Sequence, residues 1–247
     1  MHYKEIKPIG FLENFIACFW EYQSTDTATA HTILPDGYFD LIAEFENEIL
    51  TNVKLTGVWS EPIDVIIPKD TTLFAIRFKL LATEYLFQQE IKSILNTSKN
   101  IPLDFWGINT CQSTEFECFV SVVTHHLENA LKHLKEIDNR KLQLFQLIYK
   151  QEAKTVKELS EKVFWSSRQI NRYFNAQFGF PLKEFLKIVR CNAAYEAIAE
   201  GLLSPHDAFY DQAHFIKELR KYTGATPKEL HRNENVRFLQ LSKINQE

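Results

Sequence analysis

Glycine is scarce in this chain, 7 in 247 residues, and no GxSxG, HExxH, P-loop or dinucleotide-binding fingerprint occurs. Few positions are therefore open to the phosphate-cradling loops of nucleotide enzymes, and the sequence does not read as an enzyme. The four cysteines, Cys18, Cys111, Cys118 and Cys191, form no CxxC pair. They read as free buried thiols rather than disulfides or a zinc site, so neither metal nor cofactor is expected. His125, His126 and His133 lie on one helical stretch, and 126 and 133 are seven residues apart, which argues for a solvated face over a metal site. No segment approaches the roughly 20 apolar residues of a membrane helix, and Met1-His2-Tyr3-Lys4 is not followed by an apolar run of signal-peptide type. The expected location is the cytoplasm.

With 45% hydrophobic residues the chain can bury one or two sizeable cores. Its net charge of −4 hides a split: residues 138–247 hold 18 basic against 13 acidic side chains, and residues 1–137 hold 10 against 19. The later part can meet phosphates and the earlier part repels them.

From Glu13 to Leu80 short β-rich runs alternate with turns: FIACFWEY, TILPDGYFDLIAEF, VKLTGVW and IDVIIPKDTTLFAIRFKL. These predict strands of a barrel or sandwich, bent at Pro35-Asp36-Gly37 and Pro68-Lys69-Asp70. ATEYLFQQEIKSIL predicts a helix. Between Ser113 and Ile137, Phe116, Val120, Val123, Leu127, Leu131 and Leu134 recur at helical spacing, a stripe that fits packing on its own domain or a dimer seam. KEIDNRK marks a polar boundary, giving a β-rich domain with a closing helix at 1–137 and an all-α domain at 138–247. The fold class expected is α+β.

In the second part, TVKELSEKVFWSSRQINRYFNAQFG has helix-turn-helix grammar. Thr155 caps a helix whose Val156, Leu159 and Val163 face one way, and Glu158 stands at the capping-box position. A turn follows at Phe164-Trp165. Ser166 caps a second helix in which Ile170, Phe174 and Phe178 recur every four residues, leaving Arg168, Gln169, Asn171 and Arg172 on the other sides. These residue types suit base edges and phosphates, because Arg forks to guanine and Asn or Gln pairs with adenine. The same pattern also fits a helical hairpin with a solvated face. Pro181 then opens a helix of about 20 residues that ends at Gly201 and is roughly 30 Å long.

Together with LSEKVFWSSRQINRYFNAQFG and this long helix, the stretch FYDQAHFIKELRKYTGATPKEL resembles the AraC/XylS-type transcription regulators over about residues 140–232, through Phe209, Asp211, His214, Phe215, Gly224 and Pro227. The resemblance implies two helix-turn-helix units joined by the long helix, with double-stranded DNA contacted by Arg168, Asn171 and Arg172 in the first and by Gln212, His214 and Lys217 in the second. It also implies RNA polymerase as a partner, an activator role, and an amino-terminal half that senses a small-molecule effector or forms a homodimer. Trp20, Tyr22, Tyr38, Asp40, Trp59 and Arg77 are the candidate effector-lining residues: aromatics with one cation and one anion suit a polar-aromatic ligand, and aromatics of this kind equally fill cores. Asp36, Asp40 and Glu44 recur by four along a probable strand, a spacing that serves acid-base work or a solvated face.

The departure from the pattern lies before Asp211. Residues 202–210 include Pro205 and are too few for the first helix of a second unit. The expectation is a regulator that reads DNA mainly with 155–178 and more weakly with 211–222. The alternative is a regulator that has lost DNA binding and acts through protein contacts.

Overall fold

The computed structural model describes residues 2–24, 26–134, 136–204, 211–233, 237–238 and 241. The architecture is α+β, a β-rich amino-terminal part followed by helices. Strands β1 (His2–Ile6), β2 (Ile16–Gln23), β3 (Thr29–Ile33), β4 (Phe39–Glu46), β5 (Ile49–Thr56), β6 (Ile63–Ile67), β7 (Thr71–Phe78) and β8 (Ser98–Ile101) form two sheets. One has six strands in the order β1-β2-β7-β4-β5-β8 and the other pairs β3 with β6. All the pairings within them are antiparallel.

The period-two alternation of these strands sorts side chains to two faces. Phe19, Phe39, Leu41, Phe45, Phe74, Ile76 and Phe78 point into the main core. Cys18, Trp20, Tyr22, Leu73 and Ala75 point the other way and form a smaller cluster with Ile67 and Ile33 of the β3–β6 pair.

The helices are α1 (Ala82–Tyr85), α2 (Phe116–Lys132), α3 (Asn139–Tyr149), α4 (Val156–Lys162), α5 (Ser167–Phe178), α6 (Leu182–Ala199), α7 (Gln212–Thr223) and α8 (Pro227–Arg232). The helix expected over 82–95 is only the single turn α1 plus a 3-10 turn at Lys92–Ile94. Between them the chain turns at Gln88 (φ 52°), and Phe87 packs against the rings of Phe39, Phe78 and Trp106. The stripe on α2 lies on the chain's own sheet: Phe116, Val123 and Leu127 are buried, and the Phe74 ring sits 5.3 Å from Phe116 and 5.5 Å from Phe119.

The polar boundary at 137/138 is not a break in packing. One core runs from the six-stranded sheet through α2 into Leu144, Phe145, Leu159, Ile170, Phe174, Phe178 and Phe185. Polar contacts reinforce it. The Tyr149 hydroxyl donates to Gly37 O (2.9 Å) and accepts from Leu80 N (3.0 Å). Tyr195 donates to Pro35 O at 3.0 Å. Gly37 holds φ 83°, which favours glycine, and a Cβ there would crowd Val189 at 3.0 Å and Phe185 at 3.3 Å. A second core joins the later half of α6 to α7 and α8 through Ile188, Tyr195, Ile198, Phe215, Leu219, Tyr222 and Leu230, and it includes Leu34 from the amino-terminal part.

Candidate nucleic-acid interface

The first unit is built as its sequence grammar predicts. Thr155 caps α4 by accepting from Glu158 N (3.1 Å), and Glu158 reaches back to Lys154 N (2.8 Å). Leu159 of α4, Val163 at its end, and Ile170, Phe174 and Phe178 of α5 are fully buried in one core with Phe145. Gly179 closes α5 in the left-handed conformation, φ 83°. Two residues earlier, the backbone carbonyl of Gln177 accepts the Ile91 N–H at 3.0 Å, which ties the end of α5 to the amino-terminal part.

The four side chains expected to read DNA here have different situations. Arg168 and Arg172 are exposed one helical turn apart and have no partner among the described residues. Gln169 is exposed, but its amide oxygen accepts from Ser166 N (3.2 Å) and Ser166 Oγ (2.6 Å), completing a capping box. Asn171 is half-buried: its Nδ2 donates to Ser167 O (3.0 Å), and its Oδ1 accepts from Leu182 N (3.2 Å) at the start of α6. It links one helix to the next. Asn175, unremarked in the sequence, is exposed one turn beyond Arg172.

Phe164, in the turn between α4 and α5, is 90% exposed and has φ 52°. A bulky residue in the left-handed region costs on the order of 1–2 kcal/mol. Its neighbour Trp165 is half-buried, 5.3 Å from the Tyr173 ring and covered by Arg140 at 5.6 Å.

In the second unit, Asp211 caps α7 by accepting from His214 N at 2.8 Å, Gly224 ends it with φ 69°, and Pro227 opens α8 behind a Thr226–Glu229 capping box. These residues of the resemblance frame the helix. Residues 202–204 are not helical, and the rest of the shortened interval, with Pro205 and Phe209, lies outside the described residues. Even so, α7 is seated: Phe215, Leu219 and Tyr222 are buried against α6 and α8. Polar contacts clamp it as well. Glu184 of α6 accepts from the Tyr222 hydroxyl (2.6 Å) and from Lys221 (3.1 Å), and Lys187 lies 3.8 Å from Glu218. The Tyr222 hydrogen bond and the Lys221 and Lys187 charges outweigh the cost of burial and hold the Glu184 carboxyl at about 2. Of the expected contacts, Lys217 is exposed, Gln212 donates to Leu203 O (3.1 Å), and half-buried His214 lines a groove.

That groove, about 520 Å³, lies between the two units and is lined by Lys154, Lys183, Lys187, Arg190 and His214, with Glu218 as its one carboxylate. Lys183, Lys187 and Arg190 follow one another at helical spacing along α6, a signal legible in KEFLKIVR.

The structure gathers four of the six candidate effector residues. Trp20 Nε1 donates to Asp40 Oδ1 (2.9 Å), Arg77 lies 3.5 Å from both Asp36 and Asp40, and its guanidinium sits 5.8 Å from the Tyr38 ring. Burial would lower the Arg77 pKa, but the two carboxylates outweigh it and raise the value. Asp36 and Asp40 are thus its counter-ions, while Glu44 pairs with Lys54. Tyr22 bonds His31 at 2.9 Å on the same side of the sheet. Trp59, half-buried past the end of β5, makes no hydrogen bond or ring contact with the cluster. Tyr38 also stacks on Tyr149 at 5.2 Å, so the cluster touches α3 directly.

Residues 4–100 match a domain of unknown function, DUF6597. No curated protein matches the chain in sequence. Among solved structures, ToxT from Vibrio cholerae O395 bound to (E)-4-(8-methylnaphthalen-1-yl)but-3-enoic acid is similar over 98% of this chain and 100% of that one, at 9% identity and a TM-score of 0.46. ToxT from V. cholerae strain SCE256 bound to an unsaturated fatty acid is similar over 87% of this chain and 93% of that one, at 10% identity and a TM-score of 0.42. No helix among the described residues is long and apolar enough to cross a membrane.

Proposed function

We propose that the protein is a sequence-specific DNA-binding transcription regulator whose main reading head is the α4–α5 unit. The observation that carries this reading is the pair Arg168 and Arg172, exposed in succession on a helix that is capped at both ends and braced by α4. An unpaired arginine pair on a rigid helix is suited to forked contacts with guanine edges or phosphates. Asn171 takes a positioning role, fixing the angle between α5 and α6. The α7 helix is the second contact, through Lys217 with His214 at the groove, and the basic groove between the units suits a phosphate backbone. The seating of α7 on α6 and α8 favours this reading over a regulator that has lost DNA binding.

We assign an effector contact, where one acts, to the Arg77–Asp40–Trp20–Tyr38 cluster. A ligand that drew Arg77 away from its carboxylates would disturb Tyr38, and through the ring stack Tyr149 and the core of the first unit.

The test is selection of bound sequences from random duplex DNA by the full chain, followed by titration of the selected site across a salt series. The expected result is a common site and an affinity that falls steeply with salt, as counterion release requires. Absence of duplex binding by the folded chain would overturn the reading.

A further inference from the structure

Two bulky aromatic residues of the described chain hold left-handed backbone, Trp106 (φ 53°) and Phe164 (φ 52°). The strain at Trp106 has a visible compensation, since its ring packs within 4.7–6.1 Å of Phe105, Phe87 and Phe78. Phe164 has no ring partner among the described residues and stands 90% exposed. A position that glycine or asparagine would fill without strain therefore carries a phenyl group aimed at solvent, and such strain collects at functional sites.

Its surroundings point to one class of partner. Arg168 begins the unpaired arginine stripe four residues on, and Arg140 covers the adjacent Trp165 ring. The nearby carboxylates are engaged: Glu161 lies 3.9 Å from Lys157, Glu158 accepts the Lys154 N–H, and Asp138 pairs with Arg140 at 2.8 Å. A bare apolar ring just before an exposed helix that carries the unpaired Arg168 and Arg172 matches the major-groove edge of an A·T pair, where the thymine methyl is the one apolar group on offer.

We propose that Phe164 makes an apolar contact with a thymine 5-methyl group beside the bases faced by Arg168, and so adds a sequence preference of its own to the first head. This rests on the DNA-binding reading given above.

The experiment titrates the full-length wild type and Phe164→Gly, at one stated salt concentration, against the duplex that the wild type selects from random DNA. The same is done with each thymidine of that duplex replaced in turn by deoxyuridine, which removes only the methyl. One replacement should weaken the wild type about fourfold, the weight of one methyl group withdrawn from water. Phe164→Gly should bind the parent duplex more weakly by at least that factor and be indifferent to the same replacement. Its melting temperature should not fall, because glycine relieves the backbone, and Phe164→Asn, tolerated at the same φ, should give the same binding loss. Parent-duplex affinity unchanged by Phe164→Gly overturns the proposal, as does a methyl dependence identical in both proteins. A shift in sedimentation with DNA affinity unchanged would make a second copy of the chain the partner instead. Failure of the full chain to bind any duplex overturns the DNA reading along with this one, whereas binding indifferent to Phe164 overturns this one alone.

Discussion

The α4–α5 pair and the α7–α8 pair are both short helices seated on α6, yet they are held by different means. The first shares its core with the β-sheet, so Phe174 and Phe178 belong to the same cluster as Phe39 and Phe78. The second sits in its own smaller core and is clamped to α6 by Glu184 with Tyr222 and Lys221, and by Lys187 with Glu218. Apolar packing is insensitive to pH and transmits strain between the elements it joins. A partly exposed polar clamp is weaker, and it titrates. The α4–α5 pair therefore shares one core with the amino-terminal half, and the α7–α8 pair adds to an apolar core of its own a small polar clamp that titrates.

The largest expected effect separates the two cores. Phe174→Ala and Phe215→Ala each delete a fully buried ring, a loss of about 3–5 kcal/mol. Hydrogen exchange should show faster opening in β7 and α2 for Phe174→Ala, and opening confined to α7, α8 and the later turns of α6 for Phe215→Ala. Faster exchange in the sheet from Phe215→Ala would abolish the distinction.

Next in size are the DNA contacts proposed above. Arg172→Ala should cost about 1–3 kcal/mol of binding and relax preference at particular base pairs. Lys217→Ala should weaken all sequences nearly equally and lower the salt slope by about one, as a lost phosphate contact does. Titrations on the selected site and its single-base variants compare them, and equal losses of preference would make both heads readers.

The smallest effect is the titration of the clamp. The Glu184 carboxyl is held at about 2, chiefly by the Tyr222 hydrogen bond, against about 4.3 in an unfolded chain. A depressed value means that the clamp's contribution is complete above about pH 4.3 and is lost as pH falls toward about 2. Glu184 is partly open to solvent, so screening limits the contribution to about 1 kcal/mol or less. Urea midpoints for wild type and Glu184→Gln should differ near neutral pH and converge in acid. A constant difference across that window would remove Glu184 from the clamp.

The helix frames were legible because their signals are local. Thr155, Ser166 and Gly179 cap or close helices where the sequence grammar puts them, and Asp211 and Gly224, which carry the resemblance, frame α7. The alternation of the strands was legible for the same reason. The intramolecular bonds of Gln169 and Asn171 were not, because an amide that could pair with adenine and one that joins two helices are the same residue type. The capping box of Ser166 and Gln169 was present in the spacing all along. The continuity of the core across the 137/138 boundary depends on which apolar faces meet, and periodicity states only that a face exists. The 82–95 helix failed for a related reason. Its apolar spacing fits a helix, but the aromatic rings around Phe87 and Trp106 draw the chain into a turn.

Beside Leu34, strand β3 accepts a late segment of the chain. Thr32 N donates to Arg237 O at 2.6 Å, Thr32 and Phe238 form a parallel bridge, and Arg237 Nε returns to the Thr32 hydroxyl across a separation of 205 residues. Closing a loop of that length is entropically unfavourable, and such contacts form late. On the ribosome, at about 5–20 residues per second, β3 emerges at least about ten seconds before the segment that borders it. The six-stranded sheet and the α4–α5 pair can thus be complete while this edge of β3 is still bare, and α7 and α8, whose core already takes in Leu34, gain the further tie to β3 only when Arg237 and Phe238 arrive.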